Sequence, residues 1–374
     1  MNKRLTVLLL TMIAVFSLTL SACGSAATAT QAPPAPTVAV SAPTEAPTNA
    51  PAAAPTTAPT AAPTAVPPVC DKLPDAPAAP AAGKLGASDN PIVITFVPSG
   101  DTGKITKAGT AIADCLSSMT GLTYKMEVGT TFAASIEAMG AEKAQVSFLN
   151  TFSVLLAEQK YGVIPVLVAI RNYATNDLDP DKALGGQAEP FYKGQFIANN
   201  ASGIKSFADL KGKTFCFVDP NSTSGYIVPR IVLKANGIDP DTDFKATQNA
   251  GSHPNVAIAV YKGDCDAGVT FINVLTDTAT NLAATYPDIA TKVSVFADTA
   301  RIPNDGMQFI KTLDPKLQAV TVEGMLAMTK DPGGKAVLKS LYNYDSLQKV
   351  DATFYNDFAA VLKKAGVDPA TLVK

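Results

Sequence analysis

Three consecutive hydroxyls stand in Asp219-Pro220-Asn221-Ser222-Thr223-Ser224-Gly225, between a β-rich run and an amphipathic helical run. Residues of these types at a helix start can hold an anion. The hydroxyls donate, the first-turn N–H groups lack intrahelical acceptors, and the helix dipole places partial positive charge there. Gly225 would let backbone approach a ligand, and Pro229 is tolerated near the first turn, where a missing N–H matters least. The same hydroxyls could instead serve only as helix caps. The single histidine, His253, follows Ala250-Gly251-Ser252 and precedes Pro254 at a second expected helix start, from which its ring could face the first cradle. A surface or capping role is the alternative.

Other chemistries lack their residues. One histidine and no C-x-x-C rule out multi-histidine and Cys/His metal sites, so neither a metal nor a cofactor is expected. With 30 Lys+Arg against 32 Asp+Glu and a net charge of −2, the chain has no basic excess for nucleic acid. Gly100-Asp101-Thr102-Gly103-Lys104 does not have the spacing of a phosphate-binding P-loop. Asn221-Ser222-Thr223-Ser224-Gly225 is not a G-x-S-x-G elbow, and a serine hydrolase would need His253 as its base.

The elements that must position these residues alternate strand and helix, the pattern of an α/β protein. Strands are predicted at 91–97, 124–128, 146–149, 164–170, 191–198, 214–218, 267–271 and 292–296. Helices are predicted from the Ile105/Ile112/Leu116 face to Thr120-Gly121, at 132–139 and 152–161, and along the Val228/Ile231/Val232/Ala235 face up to Gly237. Two more are predicted at 255–261 and 274–286, and 315–374 reads as helical throughout. Two similar halves imply two lobes, with small ligands bound between them at the carboxyl ends of strands.

The first residues read as an address. Lys3 and Arg4 precede an uncharged run from Leu5 to Leu20 that closes on Leu20-Ser21-Ala22-Cys23, a lipobox-like sequence that would leave a lipid-modified Cys23 at the new N-terminus. A transmembrane anchor is the alternative, although the run is short for a span. Ala, Pro and Thr dominate from Gly24 to about Ser88, where no core can form and an extended spacer is expected. Four further cysteines remain in an oxidising compartment and allow three pairings; Cys216–Cys265 and Cys70–Cys115 is the expected one, with free buried thiols the alternative.

The segment 219–225, followed by Ala250-Gly251-Ser252-His253 and then Cys265-Asp266-Ala267-Gly268, resembles the phosphate/phosphite/phosphonate substrate-binding proteins of ABC transporters over nearly all of 90–374. The resemblance implies an α/β, two-lobe periplasmic-binding-protein (type II-like) fold with a ligand cleft between the lobes. With the leader and spacer read above, the expected organisation is a signal peptide at 1–22, Cys23 and a disordered linker at 23–88, one lobe from 89–197 with 300–374, and the other from 198–299. It also implies a non-enzymatic monomer outside the cytoplasm, lipid-anchored, that delivers a phosphorus oxyanion to membrane permease subunits; a receptor for a sensor kinase or chemoreceptor is the alternative.

Position by position, Ser222, Thr223, Ser224 and His253 match the residues that hold the oxyanion. Tyr192 matches a tyrosine that closes over it, and Asp305 a carboxylate that meets a ligand ammonium. Phe132 stands where aminoethylphosphonate-binding members have a tyrosine, and Asn273 where they have a glutamate, which favours smaller oxyanions. The charge is expected to be met without Arg or Lys, and Asp266 is read as a strand-start cap.

Overall fold

The computed structural model describes residues 67–172 and 188–369. The leader, Cys23 and the spacer up to Val66 lie outside the described residues.

Two sheets carry the architecture. In the first, β1 (Ile92–Phe96), β2 (Tyr124–Val128) and β3 (Val146–Phe148) run parallel, and β4 (Ile164–Asn172), β13 (Gly306–Phe309) and β14 (Ser346–Lys349) extend it antiparallel, in the order β14-β4-β13-β3-β1-β2. The second has the order β11-β7-β10-β8-β9, from β7 (Gly194–Asn199), β8 (Thr214–Phe217), β9 (Ala246–Asn249), β10 (Ala267–Phe271) and β11 (Val293–Asp298). A two-stranded ribbon, β6 (Phe191–Tyr192) with β12 (Ile302–Pro303), lies where the chain passes between them. The expected strand 191–198 is therefore two strands, and the change of sheet falls at 192–194, ahead of the 197/198 boundary. Gly194 permits this crossing: a Cβ there would lie 2.9 Å from both the Ser224 carbonyl oxygen and the Thr299 methyl.

Helices cover the sheets through apolar faces. In α1 (Thr102–Thr120), Ile105, Ala108, Ile112 and Leu116 are buried, Asp101 caps the start by accepting from the Lys104 N–H, and Gly121 ends it at φ +73°. The second sheet has its own aromatic core, with Phe196, Phe215 and Phe217 buried against Phe207 and Phe244. Both disulfides form in the expected pairing, Cys70–Cys115 and Cys216–Cys265. The first ties residues before the sheet to α1. Together with the hydrogen bond from Leu73 N–H to the Met119 carbonyl, it packs residues from 67 onward on the first lobe, where the spacer was expected to run to 88.

Two regions depart from the predicted pattern. Residues 274–286 form turns and only the short helix α6 (Leu282–Thr285). Here Asn273 and Asn281 adopt positive φ and the Asp277 carboxylate accepts from the Thr280 N–H, local bonds that compete with helix formation. The C-terminal part is helical at α8 (Pro315–Met328), α9 (Pro332–Tyr342) and α10 (Asn356–Lys364), but Ser346–Lys349 is an edge strand on β4. Its four residues are too short and polar to show strand periodicity.

Candidate functional site

The carboxyl ends of β1, β3, β8 and β10 converge on a cavity of about 70 Å3 between the two sheets, open to solvent on the side of Asp101 and Ser340. That is space for a small solute rather than a polymer. Its walls include Ser222, Thr223, Ser224, His253, Tyr192, Asp305 and Phe132, so seven of the eight sequence-predicted ligand residues meet here. Asn273 does not line it. It sits behind the wall at φ +70°, donating its N–H to Gln195, and starts the turn that carries Asp277 to the cavity.

The hydroxyl cradle begins as a π-helical turn, Thr223–Ile227, that continues into α4 (Val228–Ala235). Ser222 caps this turn, its Oγ accepting from the Gly225 N–H at 3.1 Å, which leaves its proton to be donated elsewhere. Capping and cavity lining are thus combined in one residue. Gly225 has a different role from the expected one. A Cβ there would come within 2.3 Å of the Val218 side chain and 2.8 Å of Ser222 Oγ, so the glycine serves strand–turn packing rather than approach to a ligand.

His253 is the first residue of α5 (His253–Lys262), which is capped by Ser252. Its Nδ1 accepts the Phe271 N–H at 3.0 Å, and its Nε2 lies 3.5 Å from Ser222 Oγ. Complete burial, with Arg171 nearby, lowers its pKa to about 3. The ring is therefore neutral at physiological pH, and the bond at Nδ1 assigns its proton to Nε2, facing Ser222. Tyr192 bonds Ser224 and is pushed up to about 12 by burial, so it too stays neutral.

Thr223 is anchored across the cleft. Its Oγ1 accepts from Asn150 Nδ2 and from the Phe152 N–H, both at 2.8 Å, and both belong to the loop and helix α3 (Thr151–Tyr161) that follow β3 of the first sheet. Asn150 Nδ2 also reaches the Asn221 carbonyl, the His253 N–H donates to the Ser99 carbonyl, and Lys104 Nζ donates to the carbonyls of Ala279 and Thr280. The lobes are closed on the cavity through these bonds.

Positive charge is present, contrary to the expectation from sequence. Arg171, near the end of β4, lines the cavity and pairs with Asp305 at 2.6 Å, and Lys104 also contributes to the wall. The other Asp305 oxygen accepts from the Tyr344 hydroxyl at 3.0 Å. Arg171 and Asn150, together with Asp277, whose carboxyl pKa is raised by burial, were missed from the sequence. No local motif marks them, although Asn150 just before an apolar helical run was a recognisable helix-start signal. Asp266 is not part of the cavity wall; it accepts from the Thr214 N–H and hydroxyl, each at 2.8 Å, joining the starts of β8 and β10.

The family model of the phosphonate ABC-transporter periplasmic substrate-binding proteins matches residues 94–355. The chain belongs to this family. A phosphate-import protein, PhnD, of Mycolicibacterium smegmatis is 28% identical over 190 residues, 48% of this chain and 54% of that protein. The phosphonates-binding periplasmic protein of Escherichia coli K12 is 30% identical over 164 residues, 43% and 47% of the respective chains. The chain thus spans about half the length of the curated relatives it matches. Among solved structures, a binding component of a Pseudomonas aeruginosa phosphonate transporter superposes with a TM-score of 0.63 at 22% identity, covering 74% of this chain and 87% of that one. PhnD1 of Prochlorococcus marinus, solved with methylphosphonate, gives 0.61 at 18% identity, covering 74% and 98%. These likenesses establish the type II periplasmic-binding-protein fold.

Proposed function

We propose that this protein captures a small phosphorus oxyanion, a phosphonate, phosphite or phosphate, and presents it to the permease of an ABC importer from a lipid anchor at Cys23 outside the cytoplasm. The observation that carries the proposal is the convergence, in one cavity between two lobes, of the Ser222 and Ser224 hydroxyls, the Nε2–H of a neutral His253 and the Arg171 guanidinium. Ser222 and His253 meet the anion as donors, with Ser224 and Tyr192 beside them. Thr223 holds the lobes together, and Phe132 supplies an apolar wall. A tetrahedral oxyanion offers several acceptor lone pairs in a small volume, which suits this set of donors. A buried site of this kind penalises any ligand that leaves its donors unpaired.

A hydrolytic role fits the geometry poorly. A histidine acting as base for Ser222 would need an unprotonated Nε2, whereas the Phe271 N–H holds the unprotonated nitrogen at Nδ1. Calorimetric titration of the mature protein with phosphate, phosphite, methylphosphonate and 2-aminoethylphosphonate tests the proposal. Binding of at least one, weakened in His253→Ala with no turnover of any ester, is expected. Absence of both heat and thermal stabilisation with all four would overturn it.

A further inference from the structure

Resting on that reading of the cavity, we infer that the buried Arg171–Asp305 pair makes the site select oxyanions without a cationic group and reject those that carry an amine. Pairing of β4 with β13 sets the two residues side by side: the Ala169 N–H donates to the Asp305 carbonyl, which brings the carboxylate beside the Arg171 side chain. Their charged ends meet at 2.6 Å, with side chains only 9% and 13% exposed. The guanidinium lies 5.6 Å from the Tyr192 ring centre and 4.9 Å from that of Tyr344, so two aromatic faces hold it in place.

The consequence for a ligand follows from what Asp305 has left to offer. Arg171 occupies one of its oxygens and the Tyr344 hydroxyl the other. A ligand ammonium entering the cavity would have to displace the guanidinium from its carboxylate or lie beside it as a like charge in a poorly solvated space. Either costs binding energy that a neutral or anionic tail does not lose. The remaining carboxyl deep in the wall, Asp277, is a poor substitute. One oxygen accepts from the Thr280 N–H and the other is buried without a hydrogen-bond partner, and burial favours the neutral acid, which offers an ammonium no opposite charge. Asp101, at the exposed rim of the cavity, commits one oxygen to the cap of α1, and solvent there screens whatever the other could offer an ammonium. The chain thus carries its own cation where an amine would need to sit.

The test compares methylphosphonate with 2-aminoethylphosphonate, which share a headgroup and differ in the ammonium, by calorimetry on the mature protein. Methylphosphonate is expected to bind at least about tenfold more tightly. Arg171→Met leaves Asp305 without its cation and should narrow or reverse that ratio by about tenfold, whereas Arg171→Lys should keep the preference. If Arg171→Met does not fold, Asp305→Asn decides: it removes the carboxylate but keeps the guanidinium, so the preference must be kept or widened, and a narrower ratio overturns the inference. Equal affinities in the wild type, within about threefold, or a ratio insensitive to Arg171→Met, overturn it while leaving the oxyanion function standing. Failure of both ligands and of phosphate and phosphite to bind overturns the functional reading and this inference together.

Discussion

Replacing Thr223 with valine should open the closed form while leaving each lobe intact. Valine keeps the branched shape of a residue that is 1% exposed but removes the oxygen that accepts from Asn150 Nδ2 and the Phe152 N–H, each at 2.8 Å. In the closed form both donors then face a methyl group; in the open form both reach water. A buried donor left without an acceptor costs roughly 1–3 kcal/mol, so about 1–1.5 kcal/mol for each donor gives about 2–3 kcal/mol against closure. Since every 1.4 kcal/mol is tenfold, ligand affinity should fall roughly 30- to 150-fold. Thr223→Ser, which restores the acceptor, should stay within about fivefold of wild type. Calorimetry gives the affinity, and small-angle scattering with saturating ligand reports how far the lobes close. A Thr223→Val protein that binds within about threefold of wild type and closes normally would refute the assignment of Thr223 as an interlobe latch.

Four further outcomes follow from the same structure. His253, held at a pKa of about 3 against an ordinary 6.5, takes up its proton more readily when unfolded, so its contribution to stability is complete above pH 6.5 and is lost as pH falls toward 3. Melting temperature against pH should accordingly show a shallower acid limb in His253→Gln, and an unchanged limb would refute the buried neutral ring. Glu158, partly buried and raised from 4.5 to about 7, acts in the opposite sense: its contribution is complete below pH 4.5 and is lost as pH rises through 7. Because solvent screens it in part, Glu158→Gln should gain only on the order of 1 kcal/mol at pH 8 in denaturant titration, and no gain would refute the desolvation argument. The Cys216–Cys265 bridge closes a sequence separation of 49 residues, which the chain-entropy model values at about 4 kcal/mol, so a Cys216→Ser/Cys265→Ser protein should melt well below wild type. Finally, Cys23→Ser should release the protein from the membrane fraction, and retention would refute lipid anchoring.

Much of the frame was legible because it is encoded locally. The apolar face of α1 and the glycine that stops it can be read from spacing alone, and β2 and β10 coincide with the predicted 124–128 and 267–271. The hydroxyl segment and His253 were legible as helix starts, because capping depends on residues within one turn. Less legible were elements whose identity depends on a distant partner. Ser346–Lys349 becomes a strand only because β4 offers it an edge, and the predicted helix at 274–286 gives way to turns built by Asn273, Asp277 and Asn281.

The sequence left three cysteine pairings open, but by itself determined that a cradle of hydroxyls would sit at a strand-to-helix turn and that a histidine would stand at a second helix start. Hydrogen-bonding chemistry and periodicity over a few residues are enough for these. Only the tertiary structure decided what surrounds the cradle. Arg171 reaches Asp305 because β4 and β13 are neighbours in a mixed sheet, and Thr223 finds Asn150 because two lobes from separate stretches of chain close on each other. Charge balance inside a cavity is a property of all its walls, and those walls come together only when the sheets do.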